Sequence, residues 1–578
     1  MRTKQTPLLF KVLCWLLAVT SWLILFLITG VLNAWRSADP SWLMPALWAI
    51  EGLSLILALS ILRKSVNRLF DGLWAYRKTT FACFTIIFTG LFVYANQFAE
   101  LNKVRSSKAG IDKKVAIVGA GAAGTHAAWM LHHSGIDFTL FEAAEYVGGH
   151  AYSPEFKTSN GESYAVDIGF MFGAPNSYKE LKGLLAYYGI GRVMNNLSIS
   201  ANVDGLEWAS GDKESLSSEV YRFHELALRD YQDPSTNLLP FGWWLRLNGF
   251  DEDFRRQYLA PYLSVLFIVT DGLYEQSTRF ILSMFSGTSK WLDYESGALA
   301  WSVRNGSGNY YQTVVKEFQD RIRLQTPVTS IERVDGRVKV TSVDYQGTFK
   351  EEWFDEVVLG VPADVAKELV SDATPLESFI LSQVRYQGIQ MTLHGDSSVL
   401  PEPRFRRNYN YVQDESTGDG YRLNGILSAT LDLDHALNPE PIGTINPAAN
   451  VKDVRVSRIW RHHLQDIWHI AVMFKVLPAI QGHGGVWYAG DWVKFVGHGP
   501  AMRSGMNAAC HIGGIHPPKA SEEDECMQVI TEDEVLATGL KEKKVEICGL
   551  NGLYNFLTQE ACPEVLKAER KTTLSQRD

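Results

Sequence analysis

Three long runs with almost no charge open the chain. They are residues 12–31 (VLCWLLAVTSWLILFLITGV), 41–62, where Glu51 is the one acid, and 79–99 (TTFACFTIIFTGLFVYANQFA). A helix crossing the ~30 Å hydrocarbon core of a bilayer needs about 20 apolar residues, so each run is long enough to span. Trp35, Trp42, Tyr76 and Tyr94 stand near the ends of the runs, where amphipathic rings anchor at an interface. The first run is too long for the apolar core of a cleaved signal peptide. The pattern predicts a multi-pass integral membrane protein, with about three transmembrane helices in residues 1–105.

The pattern then changes. KVAIVG (114–119) is a short unbroken apolar run, as in a strand buried on both faces. AAGTHAAWMLHHSG has helical spacing and reaches a stop at Gly135, and DFTLFEA is a second strand ending at Glu142. Further along, 211–299 reads as largely helical and aromatic-rich, with Trp243, Trp244, Phe267, Phe280, Phe285 and Trp291. Residues 366–479 mix strands and helices. Beyond Pro517 the chain turns polar and acidic (KASEEDECMQVITEDEV), which predicts a partly disordered tail over 518–578 with one short helix at 550–558.

Composition changes this picture little. With 46% hydrophobic and 21% charged residues, the 578-residue chain is not disordered throughout. Charge is uneven: residues 1–114 hold 14 Lys/Arg against 5 Asp/Glu, a net of +9, so with −9 in total the rest carries −18. An acidic soluble part excludes nucleic acid as the expected partner. The six cysteines include no C-x-x-C pair, and their spacing indicates neither a zinc site nor a disulfide framework.

The chemistry begins at the first strand. Gly119, Gly121 and Gly124 form G-x-G-x-x-G between a strand and a helix, with an acid at the end of the next strand. Gly119 permits the tight turn, Gly121 lets a pyrophosphate approach the backbone, and Gly124 lets helix and strand pack closely. Ala122 and Ala123 open the helix, whose free N–H groups face the phosphates. Glu142 accepts hydrogen bonds from a ribose and disfavours the extra phosphate of NADP. The motif alone leaves FAD and NAD both open.

Directly after Glu142 comes AAEYVGGHAYS, with Gly148, Gly149 and His150. Here the chain resembles the flavin-containing amine oxidase and phytoene-desaturase-like superfamily. The Gly-Gly-His form is similar to a branch described as NAD/FAD-binding oxidoreductases, which is related to the flavoprotein portion of cyclopropane-fatty-acid synthase fusions and to fatty-acid double-bond isomerases. The resemblance covers most of 114–515. It includes AVDIGFMFGAPNSYKELKGLLAYYGI, SVRNGSGNYYQTVV (where Asn305 replaces a family glycine), IRLQTPVTSIERVDGRVKV, NYNY, TINP and GVWYAGDWVKFVGHGPAMRSGMNAA.

It implies an α/β fold: a Rossmann-type FAD-binding domain built from 112–210, 300–365 and 480–515, with an inserted α+β substrate domain from 211–299 and 366–479. It implies that FAD is held by the Gly148–Gly149 pair and His150, that the backbone of Val328 meets the adenine, and that Gly490 and Asp491 bind the ribityl–pyrophosphate link. The helix carrying Met502 then turns its N-terminus to the flavin pyrimidine. No cysteine lies in the turn at 306–311, so the FAD is expected to be non-covalent. Relatives tend to read Gly-Phe-His-Glu-Asp-Gly where this chain has Gly497-His498-Gly499-Pro500-Ala501-Met502: the histidine is kept and both acids are absent.

The catalytic candidates are His498, which reads equally well as a structural histidine, and Lys494. Tyr409 and Tyr411 are candidates to wall a substrate cavity. His462 and His463 are adjacent and so diverge in direction, and no metal site is expected. The expectation is a membrane-anchored FAD-dependent oxidoreductase acting on a lipid, with a fatty-acyl or isoprenoid chain, by desaturation, saturation or double-bond shift. Two alternatives stand beside it: a peroxide-producing amine oxidase, and a non-catalytic flavin-binding membrane scaffold.

Overall fold

The strand Lys114–Val118 lies at the centre of a five-stranded parallel sheet, in the order Val486–Tyr488, Glu356–Leu359, Lys114–Val118, Asp137–Phe141, Ile322–Arg323. Ile117 pairs with Val358 on one side and Leu140 on the other. Layers on both faces bury this strand, which accounts for a run of apolar residues without alternation. The helix Ala122–His133 is buried from Ala123 to Leu131, and the chain reverses at Gly135 (φ +69°). These relationships come from a computed structural model. It describes residues 113–514, except 174–177, 213–216, 232, 234–235, 237–238, 268–271, 287–297, 419, 432, 434–435 and 494–495.

A three-stranded antiparallel meander, Val328–Val334, Arg337–Val343 and Phe349–Phe354, leaves and rejoins the parallel sheet. Its first turn is the two-residue loop Asp335-Gly336. Both residues have positive φ (+50° and +76°), the conformation a tight hairpin requires.

A mixed seven-stranded sheet forms the second layer system. Its order is Val454–His463, Tyr386–His394, Ile442–Ile445, Arg422–Ile426, Tyr409–Gln413, Ile199–Val203, Leu206–Ala209. The hairpin Ile199–Val203/Leu206–Ala209, assigned to the FAD lobe on sequence, is hydrogen-bonded into this sheet: Tyr409 pairs with Ile199 in parallel register. The insert supplies the helices Ser218–Asp230, Phe241–Leu247, Ala260–Phe267 and Thr278–Ser286. Its aromatic residues serve the core shared with that sheet. Trp208 stacks on Tyr258 and Tyr262, and Phe223 meets Trp244, Phe254 and Phe285. Trp243, at 60% exposure, and Tyr221 stand outside that core. The helices Ala363–Leu369 and Pro375–Leu381 share a core with the five-stranded sheet through Leu369, Ile380 and Leu381.

The three uncharged runs and the acidic tail lie outside the described residues. Among the described residues, no helix is long and apolar enough to cross a membrane. Cys510 is buried in the helix His498–Ile512.

Candidate functional site

Two glycine loops meet at the carboxyl end of the parallel sheet. Gly119 (φ +94°) donates its N–H to the Phe141 carbonyl at 2.8 Å, and a Cβ there would stand 2.7 Å from the carbonyl oxygen of Gly360. A Cβ at Gly124 would overlap the carbonyl oxygen of Gly119, so the helix approaches the turn as closely as backbone allows. Gly148 donates its N–H to the Ala120 carbonyl at 2.8 Å, which docks the second loop on the first. A Cβ at Gly149 (φ +58°) would lie 3.0 Å from the Cα of Gly121. Around Gly121 itself, a Cβ would find only the Cα of Gly149 within 4 Å. The helix Ala122–His133 starts there without a side-chain cap, leaving its first N–H groups open to an anion.

Glu142 follows the second strand. Its carboxylate accepts hydrogen bonds from the N–H of Ala120 (2.6 Å) and of Ala144 (2.8 Å). Its carbonyl accepts from Thr326 at 2.8 Å, and Val328, starting the meander, stands two residues beyond. The adenine-side residues implied by the resemblance therefore share one edge of the sheet.

The last strand, Val486–Tyr488, leads to Gly490 and Asp491. Gly490 (φ +146°) donates its N–H to Ser504 Oγ on the last helix at 2.8 Å. Met502 points into the core under the dinucleotide helix. Lys494 lies outside the described residues. His498 is the first residue of the helix and is 8% exposed. Its ring stacks on Phe170 (4.2 Å between centroids, 10° between planes), and Nε2 is 2.5 Å from the Tyr310 hydroxyl and 3.3 Å from that of Tyr311. Burial holds its pKa well below the ordinary imidazole value, so the ring is neutral.

Asp491 sits among histidines, an arrangement that local sequence patterns did not reveal. Its Oδ2 is 3.5 Å from Nδ1 of His463, whose ring is 4.9 Å from that of His469. His150 faces His462 at 5.3 Å and Trp460 at 4.8 Å. Burial pushes the carboxyl of Asp491 up, but His463, His150 and His462 together hold it below the usual range. Burial lowers His150, and it brings His462 down to about 3. Adjacent on their strand, His462 and His463 face different neighbours, as the pleat requires. Among the described residues, no group of three or more His, Cys, Asp or Glu could hold a metal ion.

Beyond His462 lie two small apolar clefts on the seven-stranded sheet, each with a free volume of about 10 Å³. One is lined by Ile168, Gly169, Ile389, Trp460 and His462, the other by Val265, Tyr409, Leu423 and Leu427, and Met171, Met391 and Ile445 line both. The Tyr409 hydroxyl is buried without a hydrogen-bond partner. Tyr411, on the same strand, stacks on Tyr421 at 5.2 Å and is not among the lining residues.

Sequence reasoning also missed Asp167. This buried carboxylate accepts from Ser307 N and Ser307 Oγ, both at 2.8 Å, and from Ser153 Oγ, so it caps the helix Ser307–Val315. Burial raises its pKa to about 7 against those three bonds. The cue was present as an acid in the segment after the glycine pair and Gly-Ser-Gly before a helix, but nothing local joined them.

These features fit FAD. The open face at Gly121 and the uncapped helix suit a pyrophosphate, Glu142 a ribose, and Gly490 with Asp491 the link beyond it. Residues 122–389 match the family described as flavin containing amine oxidoreductase. Among solved structures, the chain is similar to a fatty acid isomerase from P. acnes that produces CLA (18% identity, TM-score 0.52, covering 69% of this chain and 98% of that one). It is also similar to a putrescine oxidase bound to putrescine (13% identity, TM-score 0.51, covering 69% and 99%). At such identities these likenesses speak for the fold. The cradle of glycines, Glu142 and Asp491 agrees with that family match over 122–389, and together they mark the chain as an FAD-dependent oxidoreductase similar to the flavin-containing amine oxidases.

Proposed function

We propose that the protein is a membrane-anchored oxidoreductase that draws a lipid, fatty-acyl or isoprenoid, into the cleft beside its FAD. The observation that carries this reading is the lining of the two clefts: apolar side chains, glycines, Trp460, His462 and Tyr409, with no Lys, Arg, Asp or Glu among them. Such a lining favours an apolar guest and penalises an ionised one. The uncharged runs within residues 1–105 supply the reason for a bilayer location, since a tethered domain meets its substrate at the membrane.

FAD, when bound, supplies hydride acceptance and return. Burial disfavours the protonated forms of His150 and His462, so both stand beside the cleft as neutral hydrogen-bonding groups rather than as bases. His498 positions the start of the last helix through Phe170 and Tyr310 rather than carrying protons. Amine oxidation is the second reading, favoured by the family description itself.

The test is to purify the full chain in mild detergent and record its flavin spectrum. Oleic acid, geranylgeraniol or a primary amine is then added without oxygen. With a lipid alone we expect either flavin bleaching with a new double bond in the lipid, or a shifted double bond with the flavin left oxidised. Bleaching by the amine alone, with peroxide on readmitting air, would give the function to the second reading.

A further inference from the structure

We infer that the Tyr409 hydroxyl reads an uncharged oxygen of the substrate (ester, ketone, ether or alcohol) inside the cleft. This rests on the reading of the clefts as a lipid site and narrows it, because a plain hydrocarbon would leave that hydroxyl unanswered.

Tyr409 is 4% exposed, lines the cleft, and its hydroxyl has no hydrogen-bond partner. A buried hydroxyl left unpaired costs stability, and a native core normally pairs it. Among the described residues the cleft lining offers no side-chain partner: the neighbours are Met171, Val265, Leu423 and Leu427, with the Phe172 ring centred 5.8 Å away. Removing the hydroxyl would relieve the fold, so its presence calls for a use outside the fold.

The strands beside Tyr409 are bare at the same place, and the Tyr409 ring, Met391 and Leu427 fill the space. Tyr409 stands directly across from Gly425, and Gly425 directly across from Gly443. Two neighbouring strand interiors thus carry no side chain, a pattern that weakens a sheet and marks close approach of another group. A Cβ at Gly425 would lie 3.0 Å from the Tyr409 ring, and one at Gly443 would overlap the end of Met391. Met391 and Met171, unbranched and rotatable, form the wall shared by both clefts and can swing aside for a chain.

The oxygen must be uncharged. With no cation or anion in the lining, a carboxylate or ammonium at this depth would be buried without a counter-charge. A neutral oxygen accepts the tyrosine O–H hydrogen bond without bringing a charge into the cleft. Tyr409 is thus a specificity residue for the end of the substrate away from His462.

The experiment uses the full-length, FAD-loaded protein in mild detergent, with methyl palmitate, 1-hexadecanol, palmitic acid and hexadecane as matched probes. Binding is read from the flavin difference spectrum, and stability from thermal unfolding without probe. The wild type should prefer the ester and the alcohol over hexadecane by about tenfold, the discrimination one buried hydrogen bond commonly gives. In Tyr409→Phe that preference should fall to about one, with FAD content retained and Tm unchanged or higher. A preference that survives in Tyr409→Phe overturns the inference while leaving the lipid reading standing. A lower Tm in Tyr409→Phe also overturns it, since the hydroxyl would then serve the fold. If the wild type binds no probe of the four and its flavin responds to amines instead, the lipid reading falls and the inference with it.

Discussion

Gly505 rests on Ala123: a Cβ added at Gly505 would overlap the carbonyl oxygen and carbon of Ala123. The last helix therefore lies backbone to backbone across the first turn of the dinucleotide helix. That contact ties Gly490 and Asp491, which precede the last helix, to the phosphate-binding turn. Gly505→Ala should force the helices apart. We expect a loss of about 1–3 kcal/mol in stability, the usual cost of overpacking, together with a lower flavin-to-protein ratio after purification. Unchanged unfolding and full FAD content in this variant would show that the close approach is dispensable.

Glu142 holds two backbone N–H groups, those of Ala120 and Ala144, as well as standing where a ribose is expected. Glu142→Ala should weaken FAD binding by about 10- to 100-fold, since hydrogen bonds to a charged group contribute about 1.5–3 kcal/mol. Glu142→Gln, which keeps one acceptor oxygen, should lose less. Fluorescence titration of the apoprotein with FAD measures both, and equal affinities for the wild type and the alanine variant would remove Glu142 from the site.

Asp167 gives stability a pH signature. Its pKa is raised by burial to about 7, above the ordinary 3.8, so ionisation in the folded protein is penalised. The penalty is absent below pH ~4, grows as pH rises through the interval to about 7, and is complete above it, amounting to about 4 kcal/mol at most. Asp167→Asn cannot ionise. The stability of the wild type relative to this variant should therefore fall between pH 4 and 7 and level off beyond. Parallel curves from denaturant unfolding across that range would contradict the raised pKa.

Tyr310 and His498 meet at 2.5 Å in the core beneath the last helix. Tyr310→Phe leaves Nε2 of His498 with the 3.3 Å contact to Tyr311 alone. We expect a loss of about 1–2 kcal/mol with the fold retained, and a modest fall in FAD affinity because the helix start is less firmly held. A variant as stable as the wild type would mean that Phe170 stacking alone positions the histidine.

What was legible in the sequence was local. The strand at 114–118, the three glycines and Glu142 lie in one stretch whose periodicity and spacing carry their own meaning, and the hairpin at Asp335-Gly336 announces itself by residue type. The partners of those elements are set by sheet order, which local pattern does not encode. Tyr409 pairs in parallel with Ile199, and Asp167 caps a helix 140 residues away. His462 and His463 looked like a tempting but divergent pair. Their meaning comes from His150 and Asp491, brought to them by loops that follow two different strands of the parallel sheet. The unpaired hydroxyl of Tyr409 had no sequence signal, because a buried tyrosine with a partner and one without are written the same way.

The parallel sheet has a consequence for synthesis. Its strands are drawn from the beginning, middle and end of the described chain, and Val486–Tyr488 is the last to join. Until that strand and the following helix have left the ribosome, the nascent protein has its glycine turn but lacks Asp491 and the Gly505–Ala123 contact. Non-local pairing of this kind is slow and exposes strand edges while it waits. Flavin capture thus becomes a checkpoint on completion. A chain cut before residue 486 should emerge colourless, and one that reaches the end of the last helix should be able to turn yellow.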